Sequence, residues 1–173
     1  WELAVHYEAA RGGISNGEVF EKMRSIVRIM DAAVKTGLSG TEYADRILGS
    51  QSVKFMEQLD GDRLIAGNVN NTVIMYVSAV MEVKSSMGVI VAAPTAGSCG
   101  ALPGAVLGTA HTLGLPEDDI VRAMLAAGII GVFITAHATF AAEVGGCMAE
   151  TGAGAGMAPA ALVGLTGGLL DRS

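Results

Sequence analysis

The chain has 173 residues, enough to bury a sizeable core as one domain or as part of a larger one. Hydrophobic residues make up 51% and charged residues only 16%, against about a quarter in an ordinary globular chain. The net charge of −6 and the pI near 4.9 exclude the basic footprint of a nucleic-acid binder.

Aromatic residues are scarce at 5% while glycines number 24, a composition suited to helices that approach each other closely. Residues 1–88 hold 20 of the 28 charged side chains, leaving 8 for residues 89–173. The second half is therefore expected to be covered by its own chain, by a partner or by lipid. Lipid has some claim, because 123–142 and 151–170 are uncharged and each reaches the roughly 20 residues of a bilayer span. Against it stand Glu143 and Glu150 between the two stretches and the lack of Trp/Tyr belts and flanking Lys/Arg clusters. The expectation is a protein with no membrane role and no nucleic-acid partner. No basic segment followed by an apolar run opens the chain, so a cytoplasmic protein without a signal peptide is expected. A start at Trp1 and a stop at Ser173 read as part of a longer protein. Cys99 and Cys147, in a reducing compartment, read as free thiols, and by residue type alone as buried ones.

In chain order, the residues around His6 are expected to be a mobile N-terminus. Ser15 and Glu18 have capping-box spacing ahead of apolar positions at Val19, Phe20, Met23, Ile26, Val27, Met30 and Val34. Arg24, Arg28, Asp31 and Lys35 fall on the opposite face, and Gly37 is read as the terminator. Ser39 and Glu42 repeat the capping box, which predicts a short helix ending near Gly49. Further helices are expected at 51–60, stopped by Gly61, and at 70–87, stopped by Gly88. The extended piece 89-VIVAA-93 then leads through Pro94 into a glycine-rich turn. A helix from about 101 to 113 follows, closed by Gly114. Pro116 with Glu117, Asp118 and Asp119 starts a helix expected to run to about 142. The last helix is expected over roughly 146–170, weakened by Gly152, Gly154 and Gly156 unless packing compensates. The whole predicts an all-α fold over 1–173: one helical domain with buried Gly/Ala-rich central helices and a Gly-rich substrate loop.

Two stretches have residues suited to chemistry. In 94-PTAGSCGALPG-104 an extended segment meets a Gly- and hydroxyl-rich turn just before a helix. Free N–H groups there suit a carboxylate or phosphate, and no Gly-Lys-Ser/Thr of a P-loop follows, so a small carboxylate fits better than a nucleotide. The competing reading is a tight turn with Ser98 as helix cap. In 143-EVGGCMAETGAGAG-156, Cys147 on a helix lies one turn from both Glu143 and Glu150, a set that could bind metal. The competing reading is a helix contact in which glycines permit close approach. His137 reads as a core histidine, and His111 as a complement to the negative end of its helix.

At these stretches the chain resembles the alpha chain, or alpha domain, of iron–sulfur-dependent L-serine dehydratase. The matching residues are 82-EVKSSMG-88, 94-PTAGSCGALPGAV-106, 146-GCMAETGAGAGMAPAALV-163 and 167-GG-168, with 28-RIMDAAVKTGLSG-40 similar to the family's N-terminal helix. The resemblance implies a β-elimination that turns L-serine into pyruvate and ammonia. It implies a [4Fe–4S] cluster held by three cysteines, whose open iron assists departure of the β-hydroxyl. Cys147 corresponds to the first cluster cysteine, and Cys99 to a position that is not a ligand. The PTAGSCG turn corresponds to a segment near the substrate, with Thr95, Gly97 and Ser98 as the contacts expected for it. The other two ligands lie, in the family, in motifs like GLxCDP and PCxxRN beyond the last residue of this chain. The Ser-Ser-His-Thr motif belongs to a beta chain or domain. The partners implied are thus an amino-acid substrate and a beta chain, with a homodimer as one way to cover the apolar half. The chain alone is expected to hold no stable cluster and to be inactive. Met148, His137 and Lys84 depart from the Gln, Asn and Asn usual in the family. They leave open the choice among serine, threonine and cysteine, and with it a cysteine desulfidase-like lyase as the alternative enzyme. A non-catalytic helical or membrane-associated module is the alternative outside enzymes.

Overall fold

The computed structural model describes residues 1–47 and 49–168. Among them are eight helices and no strand, the all-α class expected: α1 (Glu2–Gly12), α2 (Asn16–Leu38), α3 (Ser52–Asp60), α4 (Asn68–Ser85), α5 (Ala101–Thr112), α6 (Glu117–His137), α7 (Ala142–Gly145) and α8 (Cys147–Leu165).

The core centres on α5, whose Leu102, Val106, Leu107 and Ala110 are all but inaccessible. A row of glycines one turn apart, Gly100, Gly104 and Gly108, lets α5 lie directly on α4. A Cβ on Gly104 would stand 2.9 Å from the Val77 nitrogen, and one on Gly108 2.9 Å from the Val73 Cα. The other side of α5 meets α8, which also packs along α6, while α2 packs against α4 and α6. The Gly/Ala-rich second half thus supplies the centre of the fold, as its composition predicted.

Polar ties fix the periphery. The Ser15 capping box is formed: the Glu18 N–H donates to Ser15 Oγ at 3.2 Å and the Ser15 N–H to the Glu18 carboxylate at 2.9 Å. Glu82 on α4 caps the start of α3, accepting from Ser52 N–H (3.0 Å), Ser52 Oγ (2.7 Å), Ser50 Oγ (3.1 Å) and the Gln51 N–H. Burial pushes the Glu82 pKa up, but these hydrogen bonds outweigh it and hold the carboxyl below its ordinary range. Arg24 on α2 bonds Glu117 (2.9 Å) and Asp118 (2.7 Å), and Arg28 bonds Glu117 (2.8 and 3.0 Å), at the first turn of α6. Arg28 first, then Arg24, draws the Glu117 carboxyl from 4.5 down to about 2.

A carboxyl held below its unfolded value stabilises the fold above that value and loses its effect as pH falls through the folded one. We therefore expect the thermal midpoint to decline as pH drops from 4.5 towards about 2. Circular-dichroism melts of Glu117→Gln should show a lower midpoint at neutral pH and a shallower acid decline.

Four local expectations give way. The N-terminus is α1, with Ala4 and Val5 buried and His6 Nδ1 3.3 Å from Asn16 Nδ2, so this end is tied down. No helix follows Ser39 among the described residues of 39–49; Leu48 lies outside them. The Ser39 hydroxyl instead donates back to the Lys35 carbonyl (2.9 Å), Gly40 and Asp45 adopt positive φ, and Arg46 bonds Thr41. The helix expected to reach 142 ends at His137. Ala138 is extended, and the Thr139 hydroxyl accepts from Ala141 N–H (3.1 Å), starting α7 separately. The final helix ends at Leu165; the expected limit at 170 lies outside the described residues.

Among the described residues only α6 is long and apolar enough to cross a membrane, and 39% of that window is buried within the chain.

Candidate active site

The two glycine-rich stretches, far apart in sequence, meet in space. The first runs as irregular chain from Val89 to a cis peptide at Ala93–Pro94 and then turns into α5. Its hydroxyls knit the turn: Ser98 Oγ donates to the Ala93 carbonyl at 3.2 Å and lies 3.2 Å from Thr95 Oγ1, and the Thr95 N–H reaches Ser98 Oγ at 3.4 Å. Ser98 is only 4% exposed, so its hydroxyl is committed inside the turn. Thr95 is half-buried and Gly97 exposed. Helix α5 is capped at Gly100, two residues past Ser98, so Ser98 is not its cap.

The second stretch is divided by Gly146, whose φ of 73° ends α7 and starts α8. A residue in this left-handed region cannot continue a helix. The break corrects the expectation that Glu143, Cys147 and Glu150 share one helix. Glu143 stands exposed on α7, while Cys147 and Glu150 share α8 at a spacing that puts them on adjacent turns of one face.

Helix α8 docks its small residues on the turn. A Cβ on Gly154 would meet the Ala101 Cβ at 3.4 Å, and the Ala93 carbonyl oxygen and Ser98 Cβ at 3.5 Å. One turn nearer the helix start, the Glu150 side chain lies across Gly97, where a Cβ would be 2.6 Å from the carboxyl carbon. Glycine at 97 is what leaves that place for the carboxylate. Among the described residues, Glu150 forms no hydrogen bond or ion pair, although it is half-buried. Sequence reasoning tied Glu150 to Cys147 by spacing; it had no signal for the approach to Gly97.

The cysteines divide. Cys147, the expected metal ligand, is exposed at the first residue of α8, with Met148 beside it 85% exposed, and nothing within 4 Å of where a Cβ on Gly146 or Gly152 would be. The expectation that both thiols are buried holds only for Cys99. Burial raises the Cys99 pKa, and the nearby Lys84 charge opposes this only in part. Among the described residues no group of three or more His, Cys, Asp and Glu is placed to hold a metal. One accessible thiol falls short of the ligands of a [4Fe–4S] cluster, so the described residues do not fit that group by themselves.

The histidines lie away from this region or face solvent. His137 is exposed at the end of α6, correcting its reading as a core residue; the apolar run around it is only one-sided in its burial. His111, in the last turn of α5, is 3.1 Å from the Tyr76 hydroxyl and 3.8 Å from Asp31.

Comparison with known proteins identifies the family. The profile of the serine dehydratase alpha chain family matches residues 1–173. The chain is 31% identical over 156 residues to the probable L-serine dehydratase alpha chain of Bacillus subtilis (strain 168), covering 90% of this chain and 52% of that one. It is 29% identical over 174 residues to the L-serine dehydratase alpha chain of Peptoniphilus asaccharolyticus, covering 100% and 60%. Against L-serine dehydratase TdcG of Escherichia coli (strain K12) the identity is 40% over 173 residues, covering 96% and 37%. The chain thus spans about half the length of the first two relatives and less of the third. No solved structure matched it. With the family profile running from the first residue to the last, the chain belongs to the serine dehydratase alpha chain family.

Proposed function

We propose that this chain is the alpha portion of an L-serine dehydratase, a lyase that eliminates water from L-serine and releases pyruvate and ammonia. The observation that carries the reading is the meeting of the two glycine-rich stretches, with α8 docked on the 95–100 turn and Cys147 exposed one turn from Glu150. In this reading Thr95, Gly97 and Ser98 make the substrate turn. Ser98 braces it from within, while the Thr95 hydroxyl and the backbone at Gly97 receive the substrate carboxylate. Loss of the α-proton and the β-hydroxyl gives aminoacrylate, which tautomerises and hydrolyses to pyruvate and ammonia. The base comes from outside these residues, in a beta chain, the partner that the relatives' designation as alpha chains suggests.

Cys147 would be the one thiolate that the described residues offer a [4Fe–4S] cluster, its remaining ligands coming from elsewhere in the complete enzyme. The reaction takes place in the cytoplasm, where Cys99 and Cys147 stay reduced. The test is a substrate panel on the complete enzyme, purified anaerobically with its beta chain. Pyruvate from L-serine supports the reading; sulfide from L-cysteine without pyruvate from L-serine reassigns the protein to a desulfidase-like lyase.

A further inference from the structure

The Glu150 carboxylate reaches the contact between the 95–100 turn and α8, where it makes no hydrogen bond or ion pair among the described residues. A carboxylate without an ion-pair partner can accept a charge-assisted hydrogen bond from a cation that arrives beside it. The carboxylate lies across Gly97, next to the residues assigned to the substrate carboxylate, and one turn from Cys147. An α-amino acid has its ammonium and carboxylate on one carbon, so a group that binds the ammonium must stand close beside the carboxylate site. Glu150 does.

Building on the serine dehydratase reading, we propose that Glu150, seated over Gly97, binds the α-ammonium group and makes the site favour α-amino acids over the corresponding 2-hydroxy acids. Gly97 is part of the device. Its missing Cβ is what admits the carboxylate, so Gly97→Ala moves Glu150 without touching its charge. Val144, on α7 and largely exposed, is not in this contact, which makes Val144→Ala a neighbouring control.

The experiment uses the complete enzyme with its beta chain and compares wild type, Glu150→Gln, Glu150→Asp, Gly97→Ala and Val144→Ala. KM and kcat are measured for L-serine, together with inhibition by L-alanine and L-lactate, a pair differing in ammonium against hydroxyl. Loss of a charge-assisted hydrogen bond is expected to raise the KM of Glu150→Gln by roughly 10–100-fold with kcat changed only a few-fold. The same variant should lose the preference for L-alanine over L-lactate, with Glu150→Asp intermediate and Gly97→Ala resembling Glu150→Gln. A fold defect weakens both inhibitors alike, so equal loss for L-alanine and L-lactate overturns the proposal. An unchanged KM overturns it too, as does a collapse of kcat at constant KM, which would make Glu150 a proton-transfer group. If wild type deaminates L-serine and Glu150→Gln behaves as wild type, this proposal alone falls. If wild type forms no pyruvate, the dehydratase reading falls and takes this proposal with it.

Discussion

Cys147→Ala in the complete enzyme is expected to abolish cluster assembly and reduce pyruvate formation from L-serine to background. Cys147 is exposed at the first residue of α8, so its side chain does little packing, and its loss should leave the thermal midpoint almost unmoved. Cys99 provides the opposite case. It is fully buried against Met81, with Sγ 3.8 Å from the Met81 sulfur. Cys99→Ala should cost about 1 kcal/mol of stability through the small cavity it leaves, yet retain iron and turnover. Iron and sulfide analysis, pyruvate assay and thermal melts on both variants separate a ligand from a core thiol. Full activity in Cys147→Ala would remove the assignment.

The second large effect is one of packing. Gly37 near the end of α2 lies against the backbone of α4, where an added Cβ would be 2.7 Å from the Ala79 Cα and 2.6 Å from its carbonyl carbon. A flexible side chain could move aside, but a helix backbone cannot without shifting the whole α2–α4 contact. Gly37→Ala is therefore expected to destabilise the fold by about 3 kcal/mol, at the upper end of overpacking costs, despite the better helix propensity of alanine. The displaced α4 also carries Val73, Val77 and Met81, the seam on which α5 and the Gly100 end of the preceding turn rest. Urea unfolding would show the lowered midpoint. Gly128, with nothing within 4 Å of an added Cβ, is the matched site where alanine should be tolerated.

What the sequence reveals follows from the range of the interactions involved. The Ser15 capping box and the start of α6 after Pro116 are set by residues within a few positions of one another, and each forms as read, whereas the turn before α5 is closed by Gly100 rather than capped by Ser98. The same motif at Ser39 and Glu42 fails because Ser39 is already used to close α2 and because Gly40 leaves the helical region. Glycine in the 143–156 stretch reads equally well as a packing residue within a helix or as a break. At Gly146 it is the break, and this separates Glu143 from Cys147. At Gly154 it is the packing residue. Neither role is encoded locally.

The candidate site is legible in the same measure. Its parts, a glycine- and hydroxyl-rich turn and a thiol on a helix, are local and can be recognised from composition and spacing. That they adjoin, and that Glu150 rather than Glu143 approaches the turn, depends on how α8 packs against α5, which no short window of sequence contains. The apolar face of α6 shows the same limit: Phe133 is 53% exposed although the stretch reads as core.

On the proposed reading, these residues form part of a serine dehydratase site that the chain does not complete alone. The most direct test is pyruvate formation from L-serine, measured after anaerobic reconstitution with iron and sulfide, for residues 1–173 alone and for the complete enzyme with its beta chain. Turnover is expected from the complete enzyme and none from 1–173. Sustained turnover by 1–173 alone, or its absence from the complete, reconstituted enzyme, would contradict this reading.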